Sequence, residues 1–274
     1  MKKTITIICI LFLSALLLLG VFSDQINGYY QNRKLFNAIE NNDLDAAKVA
    51  IKKGAWINTY KSPTWSIEAY VENNFTPLIS ACKQGNEEMI ALLLENGADI
   101  NKRDYFLDIS PLHMVFNEHR ESRFRLARYL IEQGADINAV RKGYYSPFQQ
   151  ALYISPNDSD QAKQESLTLL IYLLEHDADR TIYHQYNPLT YAARYNNLLA
   201  VEHLIVNGYY DVDCYDSAGN TALIIAVQDD DLDMVKLLLS LRADKSLQDS
   251  NGKTALDYAN ESSNVAIVSM LNGK

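Results

Sequence analysis

Nineteen residues separate Leu35 from Gly54, Leu78 from Gly97, Leu189 from Gly208 and Leu223 from Arg242. A fixed interval between an apolar marker and a helix-ending position, recurring in four places, constrains the chain to a row of like units. The segment 74–101, NFTPLISACKQGNEEMIALLLENGADIN, says what one unit must be. Thr76 is a good N-cap, and Pro77 follows at the one helical position where a missing N–H costs nothing. Leu78, Ala81 and Cys82 then share a narrow face, with small residues where a neighbouring helix must come close. Gly85 stops this helix, and Asn86, Glu87 and Glu88 place a cap and negative charge at the start of the next. Ile90, Leu93 and Leu94 form the second apolar stripe, Gly97 ends it, and Ala98 to Asn101 make a tight extended turn. Two short helices cannot bury both faces alone, so the unit needs stacked neighbours.

Taking Leu78 as the phase marker, the equivalents are Leu35, Leu112, Phe148, Leu189, Leu223 and Leu256, which gives seven units starting near 34, 74, 108, 144, 186, 219 and 252. The T-P-L-x-x-A opening and the L-L-L-E-x-G-A-D-I-N close of the second unit resemble an ankyrin repeat, and the resemblance extends over Lys34 to Lys274. It implies an all-α fold, a solenoid of about seven helix-turn-helix units with projecting β-hairpin turns. The resemblance, to exported bacterial members in particular, also implies a non-enzymatic module that holds a protein partner on a concave face of hairpins and first helices.

Departures from the template are local. From Gly54 to Leu78 is 24 residues, where later turns take 12 to 15, and the surplus includes Tyr60, Pro63, Trp65, Tyr70 and Val71. The third unit carries a charged surplus at Asn117 to Arg123. The fourth spans 29 residues from Phe148 to Asp177, with its extra length expected as a polar loop near Ile154 to Gln164. The last unit is expected to be a C-terminal cap whose second helix is short and polar, with Asn260, Ser262, Ser263 and Asn264. Lysines at 48, 52 and 53 suit the wet outer face of a first, capping unit.

Residues 1–23, MKKTITIICILFLSALLLLGVFS, are a basic start and an apolar run from Ile5 to Phe22, the pattern of an export signal. Val21 and Ser23 suit cleavage after Ser23, and the run is also long enough to stay as a membrane anchor; both readings stand. Lys2 and Lys3 hold the start on the cytoplasmic side, which places the repeats in the periplasm or on the extracytoplasmic face of the inner membrane. Residues 24–33 are expected as a linker or a cover over the first unit, ahead of a repeat domain over 34–274.

Formal net charge is −9, so nucleic acid is a poor partner, and the membrane is reached only through the N-terminal segment. A monomer is expected. No catalytic, cofactor or metal site emerges. His113 follows Ser110, Pro111 and Leu112, where the family places a structural histidine tied to the opening hydroxyl. The other histidines have no metal-ligand spacing, Cys82 occupies a core slot, and Asp229, Asp230, Asp231 and Asp233 begin a helix. The compositional oddity is 18 tyrosines. Tyr60, Tyr70, Tyr105, Tyr144, Tyr145, Tyr183, Tyr186, Tyr209, Tyr210 and Tyr215 all fall between units. Tyrosine buries much area at low rotamer cost and keeps a polar end, which suits a wet binding surface. These residues, with Trp65 as anchor, are the candidate partner-binding set; the alternative is that they stack together and stiffen the turn row.

Overall fold

The computed structural model describes residues 26–61, 74–105, 107–118, 121–141, 145–182 and 186–273. Backbone contacts divide the chain into two compact units, Met1–Glu118 and His119–Lys274. No strand occurs among the described residues, and none of their helices is long and apolar enough to cross a membrane.

In the first unit, α1 (residues 26–40) precedes α2 (Leu44–Lys52), α3 (Pro77–Gln84), α4 (Glu87–Glu95) and α5 (Pro111–Asn117). The expected linker is therefore largely helix from residue 26 on. Two of its polar residues, Gln31 and Asn32, are buried, with Asn32 accepting from the Trp56 amide, and the exposed Asn27 donates to the Lys53 carbonyl at 3.0 Å. Polarity at these positions reflects fastening to the following turn. α3 starts where the Thr76 hydroxyl accepts from the Ile79 amide and ends at Gly85, whose φ of +71° is the left-handed conformation that glycine adopts freely. α3 packs on both α4 and α5, and α2 packs on α4.

The second unit contains α6 (Arg123–Glu132), α7 (Pro147–Leu152), α8 (Asp160–Glu175), α9 (Pro188–Arg194), α10 (Leu198–Val206), α11 (Ala222–Gln228), α12 (Leu232–Ser240), α13 (Ala255–Ser262) and α14 (Val265–Leu271). The first helix of each pair forms one row, α7, α9, α11 and α13, and the second helices α6, α8, α10, α12 and α14 form the other. A helix between two neighbours and its own partner is apolar on nearly every side. Residues 222 to 227 of α11 are all buried, as are residues 188 to 193 of α9. Ala151, Ala192, Ala226 and Ala259 each lie three residues after their marker and are buried, which lets successive backbones approach.

Two local expectations are corrected. Part of the extra length in the fourth unit is helix, because α8 begins at Asp160 and runs 16 residues, capped by Ser159. The remaining loop is pinned by Asp158, whose carboxylate meets Arg123 in a bidentate pair, Nη1 to Oδ1 at 2.8 Å, and accepts from the Ser155 amide at 2.8 Å. The Arg123 and Asp158 side chains are 3% and 8% exposed, so this is a desolvated pair. In the last unit, Asn260 and Ser262 complete α13, and Ser263 and Asn264 make the turn. The final helix, α14, is short but apolar, burying Ile267 and Leu271.

Turns between units are held by side chains. Asp99, Asp136, Asp179, Asp211 and Asp244 each accept from the amide two residues on, closing an Asx turn. Within the first unit, the Asn58 side-chain oxygen Oδ1 accepts from the Asp99 amide at 2.7 Å. In the second, Asn138 accepts from Asp179 and Asp213 from Asp244, each at 2.8 Å. Antiparallel pairing in the projecting turns is limited, among the described residues, to isolated bridges at Tyr215 with Thr221 and Gln248 with Thr254.

Candidate functional site

Trp65, Tyr70, Tyr144 and Tyr183 lie outside the described residues. In the first unit, Tyr60 and Tyr105 meet edge to face at 6.5 Å. The Tyr60 hydroxyl donates to the Arg103 carbonyl, Lys102 stands over its ring at 5.2 Å, and Tyr105 is exposed. Within this pair Tyr60 braces the turn, and Tyr105 is exposed.

The second unit brings together a larger group. Tyr145 and Tyr186 come from successive turns, and both place a ring edge on Tyr191 of α9, at 6.3 and 6.0 Å. Tyr191 is stacked at a tilt on Tyr195 at 4.8 Å, and Tyr195 meets Tyr153 at 4.9 Å. Five tyrosines thus follow one another from the turn side along α9 to its far end. There Tyr195 lines a cleft of about 670 Å³ with Ile154, Pro156, Lys163, Asn196 and Leu198. Aromatic pairs in edge or offset geometry add about 0.5–1.5 kcal/mol each beyond area burial. Arg194 lies 6.0 Å from the Tyr186 ring and is ion-paired with Asp229.

Three of these tyrosines were not in the candidate set. Tyr153, Tyr191 and Tyr195 belong to helices or their ends, where an aromatic is expected to serve the core, and Tyr191 is indeed only 2% exposed. The available signal was Tyr191 and Tyr195 at i and i+4 after the Asn187, Pro188, Leu189 opening, which puts both on one side of the helix. Burial raises the Tyr191 phenol, and the charge that Tyr195 would carry raises it further. Tyr195 is raised by burial, then by Tyr145. Both remain neutral hydrogen-bond donors at physiological pH.

Gln149 sets this site apart from its counterparts. It stands three residues after its N-cap Ser146, the offset at which His113, Thr190 and Asp257 reach back to cap their own helices. His113 does so with Nδ1 2.7 Å from the Ser110 hydroxyl, the structural role expected of it. Gln149 does not. Its amide oxygen and nitrogen are buried without a hydrogen-bond partner, as is the neighbouring Tyr191 hydroxyl. The amide opposes the effect of burial on that hydroxyl, yet the two fall short of hydrogen-bond geometry.

Further along, Tyr209 stacks on His203 at 5.9 Å and carries Arg180 over its ring at 5.4 Å. Tyr210 is half-buried, and burial raises its phenol, with Arg180 opposing. Cys82 is buried and its thiol is pushed up by that burial, as is Cys214, to about 11. Asp231 caps α12, and burial raises the Asp229 carboxyl against the pull of Arg194. No group of three metal-ligating side chains occurs among the described residues.

Paired helices in two rows, with aromatic side chains gathered on the turns and first helices, define a repeat protein of the interaction-module class. The family model for ankyrin repeats matches residues 14–104, 35–141 and 189–274, and the chain belongs to the ankyrin repeat family. The chain is 29% identical over 213 residues to palmitoyltransferase AKR1 of Lachancea kluyveri, a match covering 74% of this chain and 27% of that protein. Among solved structures, the human ASB11 ankyrin repeat domain superposes with a TM-score of 0.61 at 24% identity, covering 88% of this chain and 98% of that one. EF0377, an ankyrin repeat protein, superposes with a TM-score of 0.56 at 27% identity, covering 77% and 99%. This chain spans about a quarter of the AKR1 protein's length, so the activity in that name belongs to that protein.

Proposed function

We propose that this chain is a non-enzymatic binding protein of the bacterial envelope, exported by its N-terminal segment and acting in the periplasm or on the extracytoplasmic face of the inner membrane. Its partner is a protein held by the turns and first helices, and the role is that of an inhibitor, immunity or protective factor. One observation carries the reading: Tyr145 and Tyr186, from separate turns, converge on Tyr191, and Tyr145 keeps 37% of its surface exposed. Rigid aromatic rings supply contact area at small entropic cost.

A photo-crosslinking residue placed at Tyr145 or Tyr186, and as a control at the exposed Val206 of α10, tests this in cells. The expected result is one discrete adduct from the two tyrosine positions and none from 206. Equal labelling from all three would overturn the proposed face. A membrane-tethered scaffold is the second reading, favoured by the 18-residue apolar run from Ile5 to Phe22.

A further inference from the structure

We propose that the first repeat rests on an anionic phospholipid surface through the exposed stripe of α1 and the Trp56 turn. α1 buries one side against its own repeat and leaves Ile26, Asn27, Tyr29, Tyr30, Arg33, Lys34, Asn37 and Glu40 exposed. Asn27 is tied to the Lys53 carbonyl; the others, in order along the helix, are apolar, aromatic, basic and then neutral and acidic. That is the sequence of environments met on leaving a bilayer: acyl boundary, headgroup carbonyls, phosphates, water. Ile26 is 66% exposed, Tyr29 54% and Tyr30 55%, an apolar surface with no cover in its own repeat. Lys34 lies over the Tyr30 ring with its Nζ 4.6 Å from the centroid.

Trp56 extends the patch. Its indole lies directly on the α1 backbone, since a Cβ on Gly28 would come 2.4 Å from the ring, and it remains 46% exposed. The Asn27 and Asn32 bonds described above hold this turn on α1. Lys48, Lys52 and Lys53 are exposed on the adjoining α2 and turn. Tryptophan, tyrosine and lysine together on one face are the composition of a protein surface at the membrane–water boundary.

Two further observations select lipid as the occupant. The apolar run ends at Phe22, four residues before Ile26, so a retained leader delivers α1 to the bilayer surface aromatic end first. Charge is also partitioned: residues 26–61 hold six basic and three acidic side chains, whereas residues 62–273 hold 16 and 30. Only the first repeat is drawn to an anionic surface, and each basic residue near such a surface adds about 1 kcal/mol.

The proposal rests on the tethered reading, and its test separates the two. The full chain carrying Trp65→Phe keeps Trp56 as its single tryptophan. Reconstituted into phosphatidylcholine–phosphatidylglycerol vesicles, it should float with the lipid, and lipid brominated near the top of the acyl chain should quench Trp56. Quenching should fall by half or more in Arg33→Glu/Lys34→Glu and in vesicles of phosphatidylcholine alone, while flotation persists. Flotation with Trp56 unquenched would overturn the proposal and leave the tether intact; failure to float would overturn both.

Discussion

Asp249 shows how much one side chain does in these turns. It is buried at the last inter-repeat turn and accepts from the Asn251 and Lys253 amides and from the Tyr258 hydroxyl at 2.6 Å. Burial alone would raise its carboxyl; these three hydrogen bonds and a fourth from the Asn251 side-chain amide at 3.2 Å outweigh that and bring it from 3.8 to about 2. The sign follows from linkage: a carboxyl held lower in the folded state stabilises the fold above its ordinary range, and that contribution disappears as pH falls from about 4 through about 2. The urea midpoint of the C-terminal repeat should therefore drop between neutral pH and pH near 2, and Asp249→Asn should flatten this dependence. Thirty residues earlier, Gly219 has φ +76°, and a Cβ there would meet the Ser250 amide nitrogen at 2.7 Å, the same amide that donates to the Ala218 carbonyl. Gly252 has φ +74° with nothing within 4 Å of its missing Cβ. Gly252→Ala should thus cost only the left-handed strain, about 1–2 kcal/mol. Gly219→Ala should cost more, because backbone must move; paired denaturation curves decide it.

At the scale of elements, the insertion before α8 is set by the buried Arg123–Asp158 pair. Removing one partner of such a pair leaves an uncompensated charge, typically at about 3–5 kcal/mol. Asp158→Ala should destabilise by that order and raise hydrogen exchange at residues 154–159, while Arg123→Met combined with Asp158→Leu should lose less than Asp158→Ala alone. The helices themselves were legible from local chemistry, because most begin with a hydroxyl, amide or carboxylate side chain capping the first turn and several carry proline next. The helical α1 was not: Asn27 and Asn32 look like linker residues until the turn they bond is in place. Nor was the tyrosine track. Its turn members Tyr145 and Tyr186 stood out by position, but the residue on which they converge, Tyr191, occupies a helical slot normally given to core. Burial and binding-site membership coincide there, and periodicity separates only inside from outside.

For the whole molecule, stacked units imply that the ends matter more than their length suggests. α13 and α14 pack on α11 and α12, whose buried residues include Ile225, Ala226 and Leu238. Deleting residues 252–274 should expose that surface, and size-exclusion chromatography should show more self-association than the full chain does. The charge partition has a similar reach, with a basic first repeat and an acidic remainder. A protein partner engaging the later repeats should associate more slowly as ionic strength rises if it is basic, and stopped-flow mixing at two salt concentrations reads this directly.

The joints between turns have an asymmetry of a different kind. Asn58, Asn138 and Asp213 each contribute a particular side chain, whereas the residues they grip, Asp99, Asp179 and Asp244, contribute only a main-chain amide. One side of the joint is specific and the other is generic. A unit spliced in after such a side chain would be gripped through its main chain, provided that residue is not proline and its turn keeps the Asp that closes it. Lengthening a chain of this kind by duplication therefore needs no matching change in the neighbour that receives the copy, and its recognition surface can grow without renegotiating the scaffold.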